Sequence, residues 1–435
     1  MGRPRKNSLS AGAIAATLSK KISILPEFFD INTGIDGYWE ALLKRFSKIS
    51  RIYGFSRAEA PLLEDIKLYQ KFYGTANPDF LVKFEQGHLL AALRPSQLPG
   101  ILRYFIQQKL NDPPGIYKWH YSGFTTKVAA SGELNSDYEF GCEILGGFSH
   151  LSEAQSIVAA WEFLTSLELE ELTLEINNLG SQECQQSYGR ALVDALLPKK
   201  YELCDNCNED LSFRPLYVFR CPNLDCQAVF PENVPTILDF LDQDSHKDFT
   251  HVLEALDEMH IAYQLNPFYA GNNLSEKTNF AVKCKLGEKT LSLAEGGHHG
   301  SLAKAAFGKD FGAFGFFGSF KTLKQVLEAN SEPPVFGPSL SEVCLVPLGE
   351  LAAKRSLRLF RDLTAQKIMV YDHFGLSGVK NQLKVAQDQK VPIALIMGQK
   401  EAMDEMVILR DVKSGMQEII SYDKIVEEVK KRLGK

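Results

Sequence analysis

The chain has 435 residues, of which 45% are hydrophobic and 23% are charged, and its formal net charge is −6 at pH 7. This length exceeds what one hydrophobic core supports, so we expect two or three domains with a composition ordinary for a globular protein. No apolar run approaches the roughly 18 residues that cross a bilayer, which excludes a membrane protein, and eight cysteines favour a reducing, cytoplasmic location over a disulfide scaffold.

The first segment is basic. No acidic residue precedes Glu27, whereas the same stretch carries Arg3, Arg5, Lys6, Lys20 and Lys21. A short polar segment cannot bury enough apolar surface to order itself, so we expect residues 1–22 to form a disordered tail. Organelle targeting by residues 1–21 and transient contact with nucleic acid are the alternatives for this segment.

The body of the chain, residues 23–329, mixes helical and strand patterns. A helix that ends at Gly54 is predicted for YWEALLKRFSKISRIYG, and a strand broken by Pro61 for FSRAEAPLLED. A short buried strand is predicted for HLLAALRP and a helix for GILRYFIQQKL. The runs GIYKWHYSGFTTKV and YEFGCEILGG predict an antiparallel pair of strands joined by a polar loop.

Further helices and strands follow. A helix with Ser152 as its N-cap is predicted for SEAQSIVAAWEFLTSL, a strand for ELTLEIN, and a helix for HKDFTHVLEALDEMH. A second strand-rich block runs from Tyr263 to Phe317. The proline-rich, polar residues 330–340 are expected to form a linker.

The last part, residues 341–435, alternates strongly between strand and helix patterns. This alternation predicts a small α/β domain with a largely parallel sheet. The segment carries 16 basic and 13 acidic residues, a net charge of +3, whereas the rest of the chain carries −9. A basic domain on an acidic body is compatible with nucleic-acid contact, and a charge of +3 is equally compatible with an ordinary surface.

Eight segments, in the same order, resemble histidyl-tRNA synthetase, a class II aminoacyl-tRNA synthetase. YGFSRAEAPLLED resembles the first motif, LRPSQLPGILR an arginine-proline segment, YSGFTTKV and GELNSDYEFGCEILG the second motif, and INNLGSQECQQSYGRAL and DFLDQDSHKDFTHVLEALDEMHIAYQLNP an insertion and its return. AEGGHHGSLAKAAFG resembles the glycine-rich histidine loop, GAFGFFGSFKTL the third motif, and the segment from VCLVPLGE onward the anticodon-binding domain.

The resemblance implies an α+β fold: a class II core in which helices flank an antiparallel sheet, and a C-terminal α/β anticodon-binding-like domain at 341–435. The inserted module then lies at about 180–260 of the core. The resemblance also implies a homodimer formed through the first motif. It further implies contact of residues 341–435 with tRNA or a tRNA-like RNA.

The catalytic positions that the resemblance marks are substituted, which implies a divergent paralogue. The second-motif arginine is Thr125, the third-motif arginine is Lys321, and the glutamine before the Phe-Gly pair is Glu139, while the histidine-loop arginine falls near Ala270. Arginine suits phosphate because its planar, permanently charged fork bonds two oxygens at once. Loss of one preorganised donor costs roughly 2.7–4 kcal/mol of transition-state stabilisation, so we expect no efficient catalysis.

The resemblance marks two further groups of residues. Nucleotide contacts are expected from Arg94, Lys127, Glu143 and Lys321, with a carboxylate paired inside the sheet as the alternative role of Glu143. The amino-acid pocket corresponds to Ser96, Glu139, His298 and His299. Adjacent histidines on a strand point to opposite faces, so packing is expected for the histidine pair, and a pH or ligand sensor is the alternative.

Four cysteines form two close pairs. Cys204, Cys207, Cys221 and Cys226 have the spacing C-x2-C-x13-C-x4-C. Four thiolates in this arrangement suit a tetrahedral structural Zn²⁺ site. Reduced cysteines without a metal are the alternative.

Three hypotheses of function follow. The first is a non-catalytic synthetase paralogue that binds tRNA or a protein partner, such as an active paralogue or another enzyme. The second is a divergent histidine–tRNA ligase that uses ATP and Mg²⁺, with Lys127 and Lys321 in place of the arginines. The third is a regulatory subunit of ATP phosphoribosyltransferase, against which the complete C-terminal domain argues.

Overall fold

The computed structural model describes residues 24–25, 27–31, 37–74, 78–111, 115–129, 131–147, 149–221, 223–271, 276–287, 289–329, 342–372, 378–388 and 391–435. The chain divides into two compact units, Met1–Val335 and Phe336–Lys435, and the division falls within the linker predicted at 330–340. That linker and the predicted tail at 1–22 lie outside the described residues.

An eight-stranded sheet forms the centre of the first unit, with the strand order β1-β5-β6-β11-β10-β9-β7-β8. A three-stranded sheet has the order β2-β4-β3. The strands are β1 Ser56–Arg57, β2 Leu63–Asp65, β3 Lys83–Gln86, β4 Leu89–Leu93, β5 Ile116–Val128, β6 Leu134–Gly146, β7 Leu172–Asn178, β8 Gln264–Leu265, β9 Glu276–Leu286, β10 Lys289–His298 and β11 Gly312–Ser319. All neighbours in the large sheet pair antiparallel except β1 with β5 and β7 with β8, as the sequence predicts for the core.

The helices of the first unit flank this sheet or form the inserted module. They are α1 Gly37–Ile52, α2 Ile66–Phe72, α3 Leu98–Gln107, α4 His150–Thr165, α5 Gln182–Leu196, α6 Asp205–Phe213, α7 Leu224–Asn233, α8 Gln243–Glu258, α9 Gly300–Phe307 and α10 Phe320–Ala329. Helix α1 buries Trp39, Leu42 and Phe46 at three-to-four spacing, as its pattern predicts. The expectation that Ser152 caps α4 is wrong, because the last extended residue is Ser149 (φ −151°) and Ser152 lies in the first turn.

The inserted module has a core of its own. Helices α5, α6 and α7 and short 3₁₀ turns enclose a buried cluster that includes Tyr188, Leu192, Cys207, Val218 and Phe230. The chain then returns through α8, which packs against α4. The four cysteines therefore lie in a compact helical subdomain and not in the central sheet.

The second unit is a mixed α/β domain. Its strands are β12 Val343–Pro347, β13 Val370–Asp372, β14 Ile393–Met397, β15 Met406–Asp411 and β16 Gln417–Ser421, and its helices are α11 Glu350–Ala365, α12 Val379–Asp388, α13 Gln399–Met403 and α14 Ile425–Leu433. The sheet order is β13-β12-β14-β15-β16.

The expectation of a largely parallel sheet in this unit is wrong. Strand β12 pairs parallel with β13 and β14, but β15 pairs antiparallel with both β14 and β16. The connections at 398–405 and 412–416 are too short for the crossover of a dozen or more residues that parallel strands need. Among the described residues of either unit, no helix is long and apolar enough to cross a membrane.

Candidate functional site

The second-motif hairpin forms the floor of a cavity of about 210 Å³. Strands β5 and β6 pair in a register that places Thr125 opposite Asp137 and Lys127 opposite Asn135. Because side chains alternate along a strand, these residues and Glu139 share one face of the sheet. The full lining is Thr125, Lys127, Asn135, Asp137, Glu139, Ser292, Leu293, Ala294, Glu295, Phe317, Gly318 and Ser319.

Acidic side chains dominate the charge of this cavity. Asp137, Glu139 and Glu295 are the carboxylates of the lining, and Lys127 supplies the cation. No arginine is among the lining residues. The arrangement is unfavourable for a polyphosphate, because three carboxylates face one ammonium in a partly enclosed space.

Arg94 is a structural residue in this arrangement. Its Nε donates to the Phe124 carbonyl at 2.7 Å and its Nη1 donates to the Ala60 carbonyl. The guanidinium leaves no room for a side chain at Gly123, since a Cβ there would lie 2.4 Å from Nη2. Arg94 is 4% exposed and is not part of the cavity lining. Its hydrogen bonds to Phe124 and Ala60 connect β5 to the first-motif segment.

Glu139 and Ser96, both predicted for the amino-acid pocket, are in contact. The Ser96 hydroxyl donates to Glu139 Oε1 at 3.2 Å, and the Gln97 backbone N–H donates to the same oxygen at 2.7 Å. Burial raises the pKa of Glu139 to about 7, although these hydrogen bonds and the charge of Lys127 oppose the shift. This carboxyl therefore titrates near neutral pH within the cavity wall.

The third motif is divided between the cavity and the rest of the first unit: Phe317, Gly318 and Ser319 line the cavity, whereas Phe320 and Lys321 do not. Phe320 is fully buried, and its ring lies within 6.0 Å of those of Trp39 and Phe140. Lys321, predicted to contact the nucleotide, lies in the first turn of α10 on the surface, and its ammonium forms an ion pair with Glu27 at 3.0 Å. The structure thus brings Lys127, but not Lys321, to the cavity.

Glu143 lies on the same face of β6 as Glu139, four residues further along, in a fully buried hydrogen-bonded group. His299 Nδ1 is 3.1 Å from Glu143 Oε2, and the Tyr121 hydroxyl donates to Oε1 at 3.4 Å. Burial raises the pKa of Glu143, while His299 opposes that shift. The side chains of Glu143 and His299 are both 0% exposed, so this pair packs the sheet interior and does not line the cavity.

His298 and Ala270 lie elsewhere. His298 Nε2 is 3.2 Å from the Glu153 carboxylate of α4, and its ring packs on Phe314. The two adjacent histidines therefore contact different elements, which the alternation of a strand predicts. Ala270 is half-buried in the loop after β8 and is not part of the cavity lining.

The cavity contains residues that the sequence did not single out. Asp137, Glu295 and Ser319 line it, and Gln97 lies beside Glu139. The two-residue alternation from Glu139 along β6 was a signal that could have identified Asp137. Glu295 and Ser319 come from strands brought alongside β6 by long-range pairing, which a single sequence does not reveal.

A second site lies in the inserted module. The sulfurs of Cys204, Cys207, Cys221 and Cys226 all lie within 4.8 Å of one another, and Cys204 Sγ is 3.7 Å from Cys221 Sγ. A tetrahedral Zn²⁺ with Zn–S bonds of about 2.3 Å holds its sulfurs about 3.8 Å apart, so these thiols fit a zinc ion. A backbone hydrogen bond from Cys207 lowers the pKa of the Cys204 thiol, whereas burial raises the pKa of the Cys207 and Cys226 thiols, so the geometry and not the acidity of the thiols supports the metal site.

Comparisons with known proteins agree with this architecture. A family model described as histidyl-tRNA synthetase matches residues 36–193, and one described as anticodon binding domain matches residues 342–432. The histidine–tRNA ligase of Caldicellulosiruptor bescii is 26% identical to this chain over 406 residues, which cover 91% of this chain and 96% of that protein.

Solved structures with the same fold include two of particular interest. The apo histidyl-tRNA synthetase of S. aureus has a TM-score of 0.77 at 21% identity, and the alignment covers 94% of this chain and all of that one. A Bacillus halodurans protein named ATP phosphoribosyltransferase regulatory subunit/histidyl-tRNA synthetase has a TM-score of 0.58 at 15% identity, covering 86% and 97%. At these identities, the likeness concerns the fold.

Proposed function

Because the chain belongs to the histidyl-tRNA synthetase family of class II aminoacyl-tRNA synthetases, we propose that it is a non-catalytic paralogue that binds RNA. The observation that carries the proposal is the cavity around Thr125, the second-motif arginine position. It is lined by Asp137, Glu139 and Glu295 against the single cation of Lys127. Histidine activation builds negative charge on the α-phosphate of ATP, and these side chains oppose such charge.

The test is ATP–pyrophosphate exchange driven by histidine, with the C. bescii ligase assayed in parallel as a positive control. Loss of one preorganised donor costs about 10²- to 10³-fold, and two positions are substituted here. We therefore expect a rate at least about 10³-fold below that of the control. Exchange within tenfold of the control overturns the proposal.

The alternative is a divergent histidine–tRNA ligase that uses ATP and Mg²⁺. It is favoured by the length of the match to a histidine–tRNA ligase and by the position of Lys127 in the cavity. In that case Lys127→Ala abolishes the exchange, and Lys321 has to leave Glu27 to reach a phosphate. A regulatory subunit of ATP phosphoribosyltransferase is a further alternative, supported by the fold shared with the B. halodurans protein.

RNA contact is assigned to the C-terminal unit, which matches the anticodon-binding domain. Helix α11 presents Lys354, Arg358 and Arg361 within three turns, and the first two of these side chains are 71% and 62% exposed. The triple change to glutamate reverses three charges and should abolish tRNA binding in a filter-binding assay. The matched control exchanges lysine and arginine at the same positions and should keep most of the affinity. Equal binding by both variants excludes this helix.

We also propose a homodimer through the first-motif region, with an active paralogue or another enzyme as the alternative partner. Six apolar side chains in and beside the three-stranded sheet and α3 are 40–53% exposed, namely Leu62, Leu63, Phe84, Leu89, Leu90 and Tyr104. The strand register places Leu63, Phe84 and Leu89 on one face of that sheet. Exposed apolar side chains that share one face of a sheet are typical of an interface.

Two further assignments complete the proposal. The four clustered thiols hold a structural Zn²⁺, a role that their number and spacing support. A cytoplasmic location is favoured because all eight cysteines are free thiols, as expected in a reducing compartment.

A further inference from the structure

The lining of the cavity around Thr125 contains three carboxylates. Among the described residues, none forms an ion pair with Asp137, Glu139 or Glu295. The charges of Lys127 and of the buried Arg94 both act on Glu139, which leaves Asp137 and Glu295 as the carboxylates without a paired cation. The cavity therefore retains a negative field into which a positive ligand is drawn.

A buried side chain beside the cavity is also without hydrogen-bond partners. Gln97 is 0% exposed, and within the described part of the chain neither its Oε1 nor its Nε2 has a partner. Its Nε2 lies 3.5 Å from where a Cβ would stand at Gly123, which pairs with Glu139 across the hairpin. The amide thus lies over the Gly123–Glu139 pair, on the face that bears Thr125 and Lys127. A buried amide of this kind indicates a missing partner.

The charge, the apolar part and the size of the cavity indicate which class of ligand it binds. An ammonium donates three hydrogen bonds and carries the charge that the carboxylates of Asp137 and Glu295 require. The apolar part of the lining, Leu293, Ala294 and Phe317, accepts a short methylene chain. The volume of about 210 Å³ is smaller than the pockets that hold drug-sized molecules, so the ligand is small.

We propose that this cavity binds a small aliphatic amine cation, of the size of a diamine, in place of a nucleotide. The inference rests on the proposed function only in requiring that ATP does not occupy the cavity. The family resemblance does not assign an amine ligand to this cavity.

The test is calorimetric titration of the full-length protein with 1,4-diaminobutane at pH 8, in an amine-free buffer of low ionic strength. The neutral isostere 1,4-butanediol is the ligand control. Glu295→Gln removes a half-buried charge that has no ion pair among the described residues, and the exposed Glu254→Gln on α8 is the matched control. Thr125→Arg places a cation directly in the cavity and serves as the second variant.

We expect saturable binding of the diamine, no binding of the diol, and a dissociation constant raised at least tenfold by Glu295→Gln and by Thr125→Arg but unchanged by Glu254→Gln. If Glu295→Gln alters the circular dichroism spectrum and so disturbs the fold, the affinity of Thr125→Arg for the diamine alone tests the inference. No saturable binding, or equal affinity in the parent and Thr125→Arg, overturns the inference. Such a result leaves the proposed function standing, whereas histidine-driven pyrophosphate exchange overturns the proposed function whatever the diamine does.

Discussion

The ammonium nitrogen of Lys321 lies 3.0 Å from the carboxylate of Glu27, which joins the first turn of α10 to the segment before α1. The neighbouring Phe320 is fully buried among aromatic rings. The resemblance places these two adjacent residues at the positions of a glutamate and an arginine, whereas here they are a core side chain and one member of a surface ion pair. Phe320 and Lys321 thus serve packing and a surface contact, while Phe317, Gly318 and Ser319 of the same motif line the cavity together with the second motif.

Lys321→Ala should have little effect on the stability of the first unit. The two side chains are 40% and 57% exposed, and exposed ion pairs contribute less than about 1 kcal/mol. Urea unfolding followed by tryptophan fluorescence measures the free energy of unfolding of the first unit, since Trp39, Trp119 and Trp161 all lie there. A double-mutant cycle with Glu27→Ala isolates the pair, and a coupling above about 2 kcal/mol would contradict the surface assignment.

Phe320→Ala should destabilise the first unit by about 3–5 kcal/mol, because it opens a cavity in the aromatic cluster. Phe320→Glu, which restores the family residue, should cost more, since the carboxylate would be buried without a partner. The matched control is Phe213→Ala, whose side chain is 81% exposed and whose loss should cost under about 0.5 kcal/mol. If Phe320→Glu is as stable as the parent, Phe320 is not a core residue and the third motif can return to its family form.

The sequence predicted most of the fold, because periodicity is local. Helix α1, the hairpin β5–β6 and the alternation of the C-terminal unit all follow from spacing within a few turns or strands. The mixed sheet of that unit was not predicted, since strand direction depends on connection lengths that the pattern alone does not fix. At the site, alternation places Thr125, Lys127 and Glu139 together. The direction of Lys321 depends on how Phe320 packs against residues far along the chain, which one sequence does not show.

The inserted module should contain one Zn²⁺ per chain. Native mass spectrometry measures the metal, and a chelator should release it and expose four thiols to a colorimetric reagent. Cys207→Ser should lower the thermal stability of the module, because this buried residue lies in its core cluster. Cys284→Ala, at a buried thiol outside the cluster, is the control and should leave the metal content unchanged. A purified chain without metal, at unchanged stability in Cys207→Ser, would show that the thiols are vestigial.

The exposed apolar face of the three-stranded sheet should control the oligomeric state. Leu63→Asp combined with Leu89→Asp places charge at side chains that are 44% and 53% exposed, so a monomer should keep its fold while a dimer dissociates. Sedimentation velocity measures the mass, and Leu151→Asp, on the exposed side of α4 at 62%, is the control. Dissociation by the control but not by the double change would move the interface away from the first motif.

Glu139→Gln should change the pH dependence of stability in a defined direction. Burial raises the pKa of this carboxyl in the folded chain from 4.5 to about 7, so between these values the folded state binds more of the proton than the unfolded state. Stability rises with pH only where the unfolded state binds more protons, so here the contribution of Glu139 is present below pH 4.5 and is lost as pH rises through about 7.

Glutamine keeps the acceptor for the Gln97 N–H but does not titrate, so the stability of the variant does not fall with pH through this side chain. The free energy of unfolding of Glu139→Gln minus that of the parent should therefore grow by about 3 kcal/mol between pH 4.5 and 7.5, at about 1.4 kcal/mol per unit of pKa shift. Urea unfolding across this range measures the difference, and Glu254→Gln should give a flat line. A flat line for Glu139→Gln as well would mean that Glu139 ionises as a solvated carboxyl, and that the cavity wall is wetter than its burial indicates.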